Sequence, residues 1–403
     1  MLAAIFTGLS GMTAYSRGLD LISNNVANLN TPGFKVSDPL FREIVYDQLR
    51  NGSDAQAGTR PGGAGVDVDT SRVSFRQGEM RSTGNVLDVG IDGNGFFVLN
   101  KDGNTLYTRA GQFEFDDDGV LIERDSGAQV VLATNGGSGT SYDITPDRSF
   151  APRATTEVKL NGVLARTGTS TTQEIPQITV IDATGAKTIL KARVTRDADD
   201  ALQWSVEILD TDNDVIGSGT VRFNEDGTPA TDHSSIEVTV DPEAADPFAV
   251  KFNFGAAGTH AGVTSISGTT TTQVNVLKQD GLELGSLTSM NFDERGNLKL
   301  TYSNGEIKTV GSLQLAMFET PEQLQSLGRS LFAANEKASP RLGSGMSSGL
   351  GRVVGGQVEL SNVELTEQFT DLIIIQRGYQ ASSQIGSVAN EMMQQLLAMD
   401  SRR

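Results

Sequence analysis

The chain has no cysteine among its 403 residues, which excludes a disulfide framework and any thiolate metal site. Aromatic residues make up only 6%, with a single tryptophan, and histidine occurs twice. Basic side chains are in deficit: 32 Lys and Arg face 50 Asp and Glu, a formal net charge of -18. Nucleic acid and anionic membrane surfaces are therefore not expected partners, because phosphate contacts need clustered cations. No run approaches the roughly 20 apolar residues of a membrane-spanning helix. The opening MLAAIFTGLSGMTAYSRG lacks the basic n-region of a secretory signal, so no cleaved signal is expected.

Glycine is what the chain has in quantity, 45 residues. Abundant glycine with few aromatics points to β structure with many tight turns, and the length allows two to four domains. Charge is unevenly placed. Arg17 and Asp20 are the only charged side chains from Met1 to Phe34, and Arg377 and Glu391 the only ones from Leu372 to Met399. Residues 151–284 instead carry ten Lys and Arg against nineteen Asp and Glu. The ends are suited to face protein and the middle to face water.

Both ends predict amphipathic helices. Leu2, Ile5, Leu9, Met12, Ser16, Leu19, Ser23 and Val26 recur by threes and fours, with Ile22 beside the weak Ser23 position. Ile374, Gly378, Ala381, Ile385, Val388, Met392, Gln395 and Met399 do the same. These are heptad stripes fit for coiled-coil contact, either within one subunit as an antiparallel pair or between subunits. The opposite faces carry amides: Asn24, Asn25 and Asn28 at one end, Gln376, Gln380, Gln384 and Gln394 at the other. Amides donate and accept without the desolvation cost of a charge. Gly8, Gly11, Gly18, Gly378 and Gly386 weaken the helices by about 1 kcal/mol each but permit close backbone approach. Such helices are expected to be weak alone and to fold on assembly. After the first, Thr31, Pro32, Gly33 and Phe34 read as a terminator: Pro32 disfavours helical geometry at Thr31, Gly33 permits a positive φ, and Phe34 anchors the departing chain.

Three blocks carry a family resemblance. GLSGMTAYSRGLDLISNNVANLNTPGFK resembles the N-terminal signature of the flagellar rod and hook family, GNVLDVGIDGNGFFVLNKDGNTLYTRAGQFEFDDDGVLIERDSGAQV its internal motif, and LSNVELTEQFTDLIIIQRGYQASSQIGSVANEMMQQLLAM its C-terminal signature. The resemblance implies a self-assembling axial subunit of a curved tube, a universal joint between rod and filament. It also implies export by the flagellar type III apparatus to an extracellular location. Its expected partners are further copies of itself, the distal rod protein, the hook cap and the hook–filament junction proteins. Roughly 200 residues separate the internal and C-terminal blocks, which favours the hook members over the shorter rod members. The alternatives are an elongated distal-rod-type or hook-associated axial subunit, or a secreted acidic β-rich binding module or adhesin.

The expected fold is mixed, mainly β with terminal α-helices. Residues 1–30 and 361–403 would form a helical coiled-coil inner domain, 31–80 and 335–360 extended linkers, 81–150 and 285–334 a split β domain, and 151–284 an inserted all-β outer domain. Turn signals at Asp92-Gly93, Asp102-Gly103, Asp118-Gly119, Ser126-Gly127, Arg295-Gly296 and Asn304-Gly305 punctuate the split domain. Within the insertion QITVIDATG, TILKARVTR, LQWSVEIL, GTVRF, SIEVTV and FAVKFNF read as strands, with Trp204 in their core. No enzyme, cofactor or metal is expected. GMSSG at 345–349 matches a nucleophile elbow but lies in a Gly/Ser loop. EFDDDGVLIERD imitates a calcium loop without the flanking helices, and DTDNDV lacks the sixth-position glycine of one and ends on Val221.

Overall fold

The computed structural model of the chain describes residues 2–46, 62–133, 139–167, 171–242, 245–267, 271–335 and 338–400. It is mainly β, with one long helix at each end: α1 (Leu2–Ala27) and α2 (Leu365–Asp400). The chain divides into two compact units. One comprises Met1–Thr145, Met290–Leu300 and Lys308–Arg403, the other Pro146–Ser289 and Thr301–Ile307.

In the first unit α1 and α2 lie antiparallel, because contacts climb one helix as they descend the other. Asn25 meets Gln368, Gly18 meets Ile375 and Gly11 meets Ser382. A two-stranded ribbon follows α1: β1 (Ser37–Tyr46) pairs antiparallel with β2 (Gly62–Val73). It packs on the helix that precedes it. The Tyr15 and Phe41 rings stand 5.3 Å apart, the Val66 N–H donates to the Ser10 hydroxyl at 3.3 Å, and Arg17 pairs with Asp67 at 3.1 Å.

Next come β3 (Met80–Ser82), β4 (Val89–Asp92), β5 (Phe96–Lys101) and β6 (Asn104–Thr108). A tight turn with Asp102 at φ 51 and Gly103 at φ 82 joins β5 to β6, the geometry of the twisted hairpins that Asp-Gly favours. β5 also pairs with Gln129–Ala133 and with Leu315–Met317, so chain from both sides of the second unit meets in one sheet. Phe75, Phe96, Phe318, Phe332 and Tyr107 pack edge to face in its core, with centroids 4.9–5.8 Å apart in the Phe96–Phe318, Phe75–Phe332 and Tyr107–Phe318 pairs.

Among the described residues, much of the two expected linkers is paired strand. Residues 37–46 and 62–73 are the ribbon, while Arg352–Gly355 pairs with β4 and Gln357–Glu359 with β3. Alternating apolar residues (Phe41, Val66, Val68, Val353, Val358) give these polar, Gly-rich stretches enough side chain to pack. The part of the first linker at 47–61 lies outside the described residues. GMSSG sits in the turn between strands Arg341–Gly343 and Arg352–Gly355, where the Ser347 hydroxyl donates to the Ser344 carbonyl at 2.6 Å.

The second unit has its own core. An antiparallel sheet runs in the order Thr172–Ile181, Lys187–Arg196, Gln203–Leu209, Val215–Arg222. The other sheet is mixed and centres on Glu157–Ala165, whose first half pairs in parallel with Phe248–Asn253 and whose second half pairs in parallel with Val263–Ile266, while Gln273–Gln279 runs antiparallel along it. Trp204, Val206, Phe223, Phe252 and Phe254 are fully buried among these strands.

Candidate assembly face

The seam between α1 and α2 is built from small residues. Gly8, Gly11, Ala14, Gly18, Ile22 and Asn25 are buried on α1; Gln368, Ile375, Ser382 and Ala389, a strict heptad, are buried on α2. A side chain at Gly18 would stand 3.0 Å from Ile375, and one at Gly8 would stand 3.2 Å from the Ser382 carbonyl. The Tyr15 ring lies over Gly378. Glycine here lets two helices approach as closely as their backbones allow.

This seam lies one residue, about 100°, away from the apolar stripes that the sequence displays. Most of the large side chains therefore stay outside. Leu9 is 53% exposed and Ile374 is 60% exposed, and Ile385, Val388 and Met392 are exposed as well. Phe6, Phe369 and Ile373 join them, although the stripes did not include them. Ile5, Met12, Leu19 and Val26 are half-buried, Ala381 is exposed, and the side chains of Leu2 and Met399 lie outside the described residues. Gln376, Gln380, Gln384 and Asn24 are exposed.

Two expected interface residues are committed within the chain. Ile22 is buried in the seam. The Asn25 amide donates to Gln368 at 2.8 Å and to the Ser37 carbonyl at 3.0 Å, while its oxygen accepts the Ser37 N–H at 3.1 Å. A buried amide needs such partners, so Asn25 is not free to face a neighbour. Asn28 is half-buried and turns back on its own helix, donating to the Asn24 carbonyl at 2.9 Å.

The terminator also differs from the expectation. α1 stops at Ala27, before Thr31, because Asn28 caps it with its side chain. Thr31–Phe34 instead dock the chain onto the β body. Gly33 has φ +69, its N–H donates to the Glu359 carbonyl at 2.8 Å, and a Cβ there would stand 2.5 Å from the Ala110 nitrogen.

Beneath the helices lies an ion cluster that the sequence reading missed. Lys35 Nζ is 2.6 Å from Glu359 Oε1, and an Arg109 guanidinium nitrogen is 3.3 Å from Glu359 Oε2; the Lys35 and Glu359 side chains have no exposure. Lys35 also donates to the Arg76 carbonyl at 2.7 Å, Arg109 to the Gly93 carbonyl at 3.0 Å, and the Gly78 N–H to Glu359 at 2.7 Å. Burial pushes the Lys35 ammonium below its ordinary value, Glu359 pulls it up and Arg109 pushes it down again. Burial lowers Arg109 too, against Glu359. Each of the three stands as an isolated charge among small or apolar neighbours, in TPGFK, YTRAGQF and GQVELS. That local pattern was the available signal.

Three family models match, in chain order. Flagella basal body rod protein covers residues 5–35, flagellar hook protein FlgE/F/G D1 domain 90–162, and flagellar basal body rod FlgEFG protein C-terminal 354–399. The flagellar hook protein FlgE of Borreliella burgdorferi is 27% identical, over 99% of this chain and 100% of its own length. That of Treponema pallidum is also 27% identical, with the same coverage. That of Salmonella typhimurium is 26% identical over 96% and 98%. With helices at both ends, a β body assembled from both sides of an insertion, and end-to-end alignment to hook proteins, the chain is similar along its whole length to the flagellar rod and hook proteins.

Proposed function

We propose that this chain is the structural subunit of the bacterial flagellar hook, and that copies of it assemble into a short curved tube transmitting torque from rod to filament as a universal joint. The observation that carries the reading is the outward apolar face of the terminal helices. A helix pair whose seam buries mostly small residues, with Ile22 and Ile375 among them, and leaves Leu9, Ile374, Ile385, Val388 and Met392 outside, has hydrophobic surface left to cover. At about 25 cal/mol per Å² of apolar area, covering that surface favours the association of further copies. The exposed amides of Gln376, Gln380 and Gln384 supply hydrogen bonds between copies without burying charge. The acidic second unit suits an outer surface whose contacts change as the tube bends, since like-charged surfaces do not lock together. The role is structural rather than catalytic. Its partners are other copies, the distal rod protein, the hook cap and the hook–filament junction proteins, reached by type III export to the cell exterior.

High-speed centrifugation and negative-stain microscopy of the purified chain after salt-induced polymerisation test this. Curved tubes are expected. Straight tubes would instead indicate an elongated rod subunit. A chain that stays monomeric at high concentration and salt would overturn the reading and favour a binding module.

A further inference from the structure

Lys35, Arg109 and Glu359 come from three distant stretches: the segment leaving α1, the residue just after β6, and the strand entering α2. Each of the three family-matched segments contributes one of them. Other contacts converge there. The Val36 N–H donates to Asn362 Oδ1 at 2.8 Å, and the Asn362 amide donates to the Ser74 and Arg76 carbonyls at 2.8 and 2.9 Å. On the other side the Ser330 hydroxyl reaches the Pro32 carbonyl at 3.3 Å. Ser330 has φ +55, uncommon for a residue with a side chain, and its carbonyl is held by the Thr108 hydroxyl at 2.9 Å. Removing the 357–363 stretch leaves Lys35 and Arg109 as two buried cations without their carboxylate, and removing either cation strips Glu359 of one of its two partners, both unfavourable states. Partial docking is therefore suppressed.

We propose that Lys35, Arg109 and Glu359 form a clasp that docks the segment leaving α1 (residues 31–36) and the segment entering α2 (residues 357–363) onto the β body in one cooperative step, within a single chain and before any second copy is present. The two helices then start from one fixed base. In the lone chain the protected body ends at about residues 30 and 364, not at about 80 and 335 as extended linkers would have it. The proposal rests on the fold of one chain and does not depend on the hook reading, which is tested separately by the formation of tubes.

Hydrogen–deuterium exchange of the full-length chain, dilute and unpelletable, tests it. Residues 31–36 and 357–363 should both be protected. Lys35→Met should raise exchange at least tenfold in both segments, including 357–363, which Lys35 touches only through Glu359, and should leave the 203–209 strand unchanged. Gly33→Ala changes no charge but displaces the same turn from Ala110, and should loosen the same two segments together. Lys35→Met loosening only 31–36 would show independent docking and overturn the clasp. So would free exchange of both segments in the unmutated lone chain.

Discussion

Gly378 and Gly386 lie eight residues apart in α2, and the same substitution should have opposite effects at the two positions. Replacing glycine by alanine inside a helix favours the helix by about 1 kcal/mol. At Gly386 a Cβ meets nothing within 4 Å, so Gly386→Ala should keep the whole gain. At Gly378 the Cβ would stand 2.5 and 2.6 Å from the Cζ and Cε1 atoms of the Tyr15 ring. That ring cannot simply swing away, because Phe41 packs against it at 5.3 Å. Overpacking of this kind costs about 1–3 kcal/mol, which cancels or exceeds the propensity gain. The two variants should then differ by about 1–3 kcal/mol, or roughly 5- to 150-fold in the docking equilibrium of the helix pair. Far-UV circular dichroism of the lone chain reads this directly, since a marginal pair converts such a difference into helix content. Gly386→Ala should raise the 222 nm signal and its melting temperature; Gly378→Ala should fall below it, to the level of the unmodified chain or lower. An equal rise in both variants would refute the reasoning, because it would mean that α2 forms helix without lying against Tyr15.

Other expectations follow from the same geometry. Leu9→Asp and Ile385→Asp place a charge on exposed positions, so the lone chain should lose no more than about 0.5 kcal/mol while pelletable polymer disappears; normal polymer from both variants would remove these faces from the interface. Ile22→Asp, buried in the seam, should instead destabilise the lone chain by several kcal/mol, read as lost helix signal. Deleting 151–284 with a short Gly/Ser bridge should leave a soluble chain, because the second unit has its own core; insolubility would show otherwise. In that unit the Thr184 hydroxyl, with the Thr184 and Ala186 N–H groups, holds the Asp182 carboxyl below the ordinary aspartate value. A carboxyl lowered on folding stabilises above its unfolded pKa of about 4 and loses that contribution as pH falls through the folded value. The denaturation midpoint followed by Trp204 fluorescence should therefore drop between about pH 5 and 2, and less steeply in Asp182→Asn.

Much of the fold was legible because its signals are local. Every glycine in the predicted turns of the split domain has a positive φ, since Asp-Gly, Asn-Gly and their like leave little choice of backbone. The insertion's strands were read from alternation, and six stretches were found. The central strand Glu157–Ala165 was not. Its Asn161-Gly162 pair mimics a hairpin turn, whereas Gly162, at φ +136, lies inside the strand where a Cβ would run into the Gln273 carbonyl. A dipeptide signal cannot tell a turn from a close approach to a neighbouring strand, because the difference is made by a residue more than a hundred positions away.

The helices show a different limit. Hydropathy finds the most apolar stripe, and both stripes are where it places them. What hydropathy does not weigh is how near two backbones can come. Gly8, Gly11 and Gly18 add almost nothing to a hydrophobic pattern, yet they set the seam, and their register with Ser382 and Ile375 turns the large side chains outward. Dispersion rises steeply as separation falls, so a narrow seam of small residues can compete with a wide one of large residues while leaving the large ones free for another partner. The ion cluster escaped for a related reason. Lys35, Arg109 and Glu359 are 74 or more positions apart, and a lone charge among small or apolar neighbours does not name its counter-charge. Only the fold shows that all three are buried together, and a buried charge is tolerable only when every partner has arrived. The feature least visible in the sequence is thus the one that ties the two most visible features, the terminal helices, to a common base.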